Sequence, residues 1–181
     1  MACLCVFAGA ADGNHENYRK EAFSLAEALS QSGHNFVYGG GRTGLMGAFA
    51  DGVIAQGGHI EGIIPEFLQA REVAHQDLTK ITVTATMHER KEAMYKPADG
   101  FLILPGGLGT LDETMEVLTW RQLGKLSGPV FTFSPRGYWN PMKTLISHIE
   151  QEGFAHSDGI GNIYWQDSIE AIVSDCNAHF A

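Results

Sequence analysis

The sequence has 181 residues, 44% of them hydrophobic and 18% charged, a balance that excludes a disordered chain. Its formal net charge of −9 argues against a polyanion partner, because nucleic-acid binding needs a basic surface to displace counterions. A small phosphate ligand fits that charge only where cations cluster locally.

The opening Met1–Ala8 is apolar, has no basic residue before it and runs into polar turn residues, so it reads as a first strand over 2–8 rather than a signal peptide or membrane span. Gly9-Ala10-Ala11-Asp12-Gly13 follows, where an open α/β sheet keeps a ligand-facing loop. A helix is expected from about Asn14 to Ser32, with Ala22, Phe23, Ala26 and Leu29 as its apolar stripe and Gly33 as its stop. Phe36–Tyr38 is a second strand. Gly39-Gly40-Gly41-Arg42-Thr43-Gly44 then opens a small-residue helix from Ala48 to Gln56. This loop fits G-x-G-x-x-G, and Glu61, on a strand over His59–Ile64, lies about 20 residues on, as in dinucleotide folds. The match is weak, because the motif does not follow the first strand.

Pro65 to Asp77 reads as a polar connection carrying Glu66, Arg71, Glu72 and His75. A short strand at Ile81–Val83 precedes a helix from Thr86 to about Lys96, opened by a T-x-x-E capping box at Thr86 and Glu89. Phe101–Leu104 is a wholly apolar run, as for a strand covered on both faces. Pro105-Gly106-Gly107-Leu108-Gly109 breaks it, and a helix pattern starts at Thr110 with Leu111, Met115 and Leu118 on one face. Later come a strand at Val130–Phe133, a helix at Pro141–Gln151, a strand at Ile163–Trp165 and a helix over 168–177 capped by Asp167-Ser168. Strands alternating with helices give a single Rossmann-like domain over 1–181, a doubly wound parallel sheet with helices on both faces. Cys3, Cys5 and Cys176 have no C-x-x-C spacing and read as reduced thiols of a cytoplasmic protein.

The chemistry concentrates between Asp99 and Trp120. A glycine turn between a buried strand and a helix leaves backbone N–H groups facing open space, and the helix dipole behind them favours phosphate. Both glycine loops, with Gly39, Gly40, Gly41 and Gly44 in one and Gly106, Gly107, Gly109 and Thr110 in the other, are candidate phosphate cradles. Arg90 and Lys91 supply the cations that an acidic chain requires, and Arg90 can grip an anion with two parallel hydrogen bonds. Asp112, Glu113 and Glu116 put carboxylates within two turns of the cradle. A plainer reading makes Thr110 and Glu113 a second capping box, and Glu116 a solvated helix residue.

Pro105-Gly106-Gly107-Leu108-Gly109-Thr110-Leu111-Asp112-Glu113, with Met87-His88-Glu89-Arg90-Lys91 and the loop from Tyr38 to Gly47, resembles the Lonely Guy family. These are cytokinin riboside 5′-monophosphate phosphoribohydrolases, some of which are labelled lysine decarboxylases. The resemblance runs from the first strand to about Phe154. It implies a Rossmann-like homodimer, with no cofactor or metal, that hydrolyses the N-glycosidic bond of (N6-modified) adenosine 5′-monophosphates to free base and ribose 5-phosphate. The family's catalytic pair falls on Arg90 and Glu113. Its binding positions fall on Glu72, Lys91, Gly107 to Thr110 and Thr119. Arg90 would anchor the phosphate or orient Glu113, and Glu116, one turn on, would hold Glu113 in place or raise its pKa by like-charge repulsion. No feature supports the pyridoxal phosphate lysine that the decarboxylase label implies. One departure from the family pattern stands out: its first loop usually reads G-S-S where this chain has Gly9-Ala10-Ala11, removing two hydroxyl donors. Two competing readings stay open: a non-catalytic nucleotide- or molybdenum-cofactor-binding carrier, and a dimer in which the Met115–Trp120 helix face is only an interface.

Overall fold

The computed structural model describes residues 1–69, 74–156 and 160–181. One parallel sheet contains β1 (Cys3–Phe7), β2 (Asn35–Tyr38), β3 (Ile60–Pro65), β4 (Lys80–Thr84), β5 (Gly100–Ile103), β6 (Val130–Phe133) and β7 (Ile163–Gln166). The helices are α1 (Asn17–Gln31), α2 (Gly44–Ala55), the short α3 (Glu66–Gln69), α4 (Met87–Tyr95), α5 (Leu108–Gln122), α6 (Asn140–Gln151) and α7 (Ile169–His179). No described helix is long and apolar enough to cross a membrane.

The period-two alternation of the strands sorts the core into two layers. Leu4 and Val6 of β1 join Leu25 and Leu29 of α1, Phe49 and Val53 of α2, and Ile172 and Cys176 of α7. Cys5 and Phe7, the alternate residues, join Met94 and Tyr95 of α4, Val117 and Leu118 of α5, and Met142 and Ile146 of α6. Helices therefore cover both faces, as the alternating sequence pattern expects. Strands β5 and β6 are buried at every position, which is why they read as unbroken apolar runs. Each fully buried leucine or phenylalanine contributes about 1.5–3 kcal/mol.

One buried face and two helix starts differ from the sequence reading. Helix α1 buries Leu25 alongside Ala22, Ala26 and Leu29, and leaves Phe23 half-buried. Helix α2 starts at Gly44, four residues before Ala48, because packing against α1 and the sheet overrides the poor helix propensity of its glycines. Helix α5 starts at Leu108, not Thr110, with Gly107 as its N-cap.

The strand order is β4-β3-β2-β1-β5-β6-β7. The chain moves outward from β1 to β4, then returns to the other side of β1 for β5. Open α/β sheets bind ligands at this reversal, beyond the carboxyl ends of the strands. Here the two strand ends stay paired into their loops: Leu104 N–H donates to Phe7 O at 2.9 Å and Gly9 N–H to Pro105 O at 3.0 Å.

Candidate active site

A cleft of about 550 Å³ opens at that reversal. Its floor is the loop after β1, Ala8 to Gly13, and the turn after β5, Pro105 to Gly107. Arg90 of α4 and Glu113 of α5 face it, Leu45 and Met46 of α2 form one wall, and Tyr18 and Tyr138 another.

The turn after β5 delivers α5 to the cleft by its amino end. Leu111 N–H donates to Gly107 O at 3.0 Å, the first bond of the helix. The amides of Leu108, Gly109 and Thr110 precede it and have no acceptor within the helix, so they form the open positive end of its dipole. A Cβ built on Gly107 or Gly109 would meet nothing within 4 Å, so the backbone there is bare to solvent. Gly106 is different: a Cβ on it would collide with the Thr110 side chain. The buried Thr110 thereby sits directly beneath the turn.

The two hydrogen bonds of Arg90 to oxygen go to backbone carbonyls, with Glu113 as a longer ionic partner. Its Nε donates to Ile63 O at 3.1 Å and its Nη2 to Gly39 O at 3.2 Å. Nη1 lies 3.8 Å from Met87 Sδ and 4.0 Å from Glu113 Oε1. Both side chains are enclosed, 7% and 12% exposed. The guanidinium is thus fixed on two sides and presents its remaining edge to the Glu113 carboxylate. Cys5 lies close by, and burial first, then the Glu113 charge, pushes its thiol well up, so it is no nucleophile.

The capping reading of Glu113 is corrected by this geometry. Thr110 is the third residue of α5, and its carbonyl accepts from Thr114 Oγ1 at 2.7 Å. Glu113 lies too far into the helix to reach the cap. By contrast, Thr86 does cap α4: its Oγ1 accepts from Glu89 N–H at 3.1 Å, and Glu89 Oε2 accepts from Ala85 N–H at 3.0 Å.

The other candidate residues are distributed unevenly. Lys91 faces away from the cleft, 2.7 Å from Asp112 Oδ2 and 3.3 Å from Glu116 Oε2. Partial burial works to lower its pKa, but the two carboxylates outweigh that and raise it. Tyr95 Oη donates to the same Glu116 oxygen at 2.7 Å, so Lys91, Glu116 and Tyr95 join α4 to α5 behind the Arg90–Glu113 pair. Thr119 is exposed on α5 and donates back to Met115 O at 2.7 Å, outside the cleft lining. Glu72 and Arg71 lie outside the described residues. Of the loop after β2, Gly39 supplies the carbonyl under Arg90. Gly44, at φ +60°, lets α2 press on the loop after β1, where a Cβ would strike the backbone of Ala10 and Ala11. Met46 N–H, a candidate donor at the start of α2, is spent on Gly9 O at 3.2 Å. Glu61 sits on β3 between His59 and Lys80, 3.2 Å from each, away from the cleft, so the dinucleotide pattern has no counterpart in the site.

Tyr18 and Tyr138 were not singled out by the sequence. Their rings meet edge-to-face at 5.8 Å, but the residues are far apart in the chain and lie in no motif. The aromatic pair Tyr138-Trp139 ahead of Pro141 is the one sequence signal that points to Tyr138, and Tyr18 has none.

The fold and cleft define a class: a Rossmann-like α/β protein with an open helix amino end beside an enclosed carboxylate–guanidinium pair. Residues 46–176 match the family model described as possible lysine decarboxylase. The chain is 40% identical over 154 residues to the cytokinin riboside 5′-monophosphate phosphoribohydrolase LOG2 of Arabidopsis thaliana, covering 85% of this chain and 72% of that protein. It is 40% identical over 155 residues to the enzyme LOG of Oryza sativa subsp. japonica, covering 86% and 64%. The chain belongs to this family, the Lonely Guy family. Among solved structures, the Moco carrier protein of Chlamydomonas reinhardtii superposes with a TM-score of 0.75 at 14% identity, covering 99% of this chain and 97% of that one. The molybdenum cofactor binding protein of Rippkaea orientalis gives 0.72 at 16% identity, covering 99% and 98%. At such identities these two share the fold.

The decarboxylase description raises the question of pyridoxal phosphate, which that chemistry links to a lysine. The residues do not fit it. Among the described residues no lysine lines the cleft. Lys91, the lysine nearest the pair in sequence, points away and is held as a cation by Asp112 and Glu116, whereas an imine-forming lysine must give up its proton.

Proposed function

We propose that this chain hydrolyses the N-glycosidic bond of adenosine 5′-monophosphates, including N6-modified ones, releasing the free base and ribose 5-phosphate. The observation that carries this reading is the enclosed Glu113–Arg90 pair beside the open amides of α5. The shared family and the named activity of relatives 40% identical over most of the chain support it.

In this reading the 5′-phosphate rests on the Gly106–Thr110 turn, which favours an anion through its amides and dipole. As the bond from C1′ to the base nitrogen breaks, positive charge builds on the sugar. A carboxylate beside C1′ stabilises that charge and directs a water to it. Water adds its oxygen to C1′ and keeps one proton there as the new hydroxyl, while its other proton passes to Glu113 and offsets the proton that the departing base takes up. Arg90 serves as the orienter of Glu113 rather than as the phosphate anchor, since two of its three nitrogens are committed to the carbonyls of Ile63 and Gly39. Lys91 and Glu116 act from outside the cleft by holding α4 against α5. The enzyme works as a cytoplasmic homodimer, a reading supported by its free cysteines and by the exposed Leu108 and Leu123 at the two ends of α5.

The test is incubation with AMP and with N6-isopentenyladenosine 5′-monophosphate, followed by chromatography for free base. Release from at least one is expected. Well-folded protein that releases base from neither overturns the reading. Adding GMP and CMP to the panel ranks base preference.

A further inference from the structure

Two carbonyl oxygens of the turn after β5 are gripped from outside by adjacent side chains. Trp139 Nε1 donates to Leu104 O at 3.3 Å, and Tyr138 Oη donates to Gly106 O at 2.6 Å. The two bonds bracket Pro105. Both side chains come from the short segment between β6 and α6.

That segment is itself pinned. Trp139 N–H donates to Ser134 Oγ at 2.8 Å. Arg136 is the single non-glycine residue with positive φ among the described residues, at 57°, a region that disfavours L side chains. It is held there by two bonds to Glu21 of α1, at 2.6 and 2.8 Å, and its guanidinium lies 4.6 Å from the centre of the Tyr18 ring. A conformation this restricted, with its side chain so tied, gives Tyr138 a fixed base from which to reach the turn.

Peptide planarity converts the Tyr138 bond into an orientation. The carbonyl of Gly106 and the N–H of Gly107 belong to one rigid plane and point in opposite directions. Holding the carbonyl therefore sets the direction of the Gly107 amide. Little else does so from the side of Gly107, whose Cβ position is empty and whose own backbone is the freest of any residue type. The same tyrosine ring also lines the cleft.

We propose that Tyr138 is a positioning residue for nucleotide hydrolysis: its hydroxyl locks the Gly106–Gly107 peptide plane so that the phosphate turn is formed before the nucleotide arrives. The proposal rests on the reading above, in which the 5′-phosphate occupies that turn. A turn formed in advance costs less ordering when the phosphate binds. Removing the hydroxyl weakens phosphate recognition and leaves the base side alone.

The experiment is Tyr138→Phe in the full chain, which keeps the ring and deletes one bond. Inhibition constants are measured for ribose 5-phosphate, which probes the turn, and for adenine, which probes the base side. Direct calorimetric binding of ribose 5-phosphate is measured alongside. The expected result is a roughly 3- to 10-fold weaker ribose 5-phosphate affinity, the scale of one neutral hydrogen bond, with adenine unchanged and a matching rise in KM for AMP. Equal affinities in variant and wild type, or equal losses for both ligands, would overturn the proposal. Arg136→Gly, which keeps the left-handed backbone but frees the segment from Glu21, is expected to shift ribose 5-phosphate affinity in the same direction by less; no shift there would overturn the role given to the segment. If wild type releases no base yet binds ribose 5-phosphate in a Tyr138-dependent way, the hydrolase reading falls and only the positioning of the phosphate turn stands.

Discussion

The two glycine-rich loops look alike in sequence and behave oppositely in the fold. Each joins a strand to a helix, and each is a plausible phosphate cradle on composition alone. In the loop after β5, Gly107 and Gly109 face open space, and a Cβ would meet nothing. In the loop after β2 and the first turn of α2, a Cβ on Gly39 would collide with Arg90 Nη2, one on Gly44 with the backbone of Ala10, and one on Gly47 with the Arg42 carbonyl. At Gly107 and Gly109, though not at Gly106 above Thr110, the first loop leaves open room outside the protein. The other uses glycine to let the protein's own parts approach, above all the Arg90 guanidinium. In the proposed reading, ligand contact and support for the Arg90–Glu113 pair are divided between two turns of similar sequence.

The division can be tested by substitution. Glu113→Gln has the largest expected effect: turnover falls by about 10³-fold, the scale for removing a charge that stabilises the transition state, while melting temperature and AMP binding hold. A melted variant would return Glu113 to a structural role. Gly39→Ala should come next. Its methyl displaces Arg90 from its seat, lowering kcat by roughly 30-fold with little change in KM, measured by steady-state base release. A KM effect with normal kcat would mean that this loop touches the ligand after all.

Lys91→Met tests the bond network behind the pair. The loss of stability is expected to be about 1–2 kcal/mol by denaturant unfolding at pH 7. Because the folded pKa of Lys91 is raised above its ordinary 10.5, the contribution of its charge is fully present below pH 10.5 and fades as pH climbs through the raised value. The gap between variant and wild type should therefore stay constant from pH 7 to 10 and narrow above that. Narrowing below pH 9 would contradict the pairing. Gly107→Ala should be the mildest for the fold, within about 0.5 kcal/mol, since its φ of −97° and its empty surroundings suit alanine. Its effect should appear instead as a several-fold rise in KM, and a large stability loss would erase the contrast between the loops.

The architecture was largely readable because it rests on local signals. The apolar runs at Val130–Phe133 and near Phe101–Leu104, the alternation of strands with helices, and the Thr86 cap each depend on a few adjacent residues. Arg90 and Glu113 stood out because each falls in a short contiguous motif, Met87–Lys91 and Pro105–Glu113. What escaped depends on contacts across the chain. Nothing local to Lys91 says that Asp112 and Glu116 claim it, and nothing near Gly39 says that its carbonyl receives Arg90 from 51 residues away. Helix starts failed where tertiary packing overrode propensity, at Gly44 and Leu108. The pairing of Tyr18 with Tyr138 escaped for the same reason: only the reversal of strand order at β1 brings the start of α1 beside the start of α6.

The central claim is that a nucleotide's phosphate lies on the amino end of α5 while residue 113 faces its sugar. A crystal structure of Glu113→Gln with AMP tests it most directly. The account predicts phosphate oxygens about 2.7–3.2 Å from amides between Gly107 and Thr110, and C1′ turned toward the Gln side chain. A phosphate seated instead on the loop after β2, or a sugar carbon turned away from position 113, would contradict it.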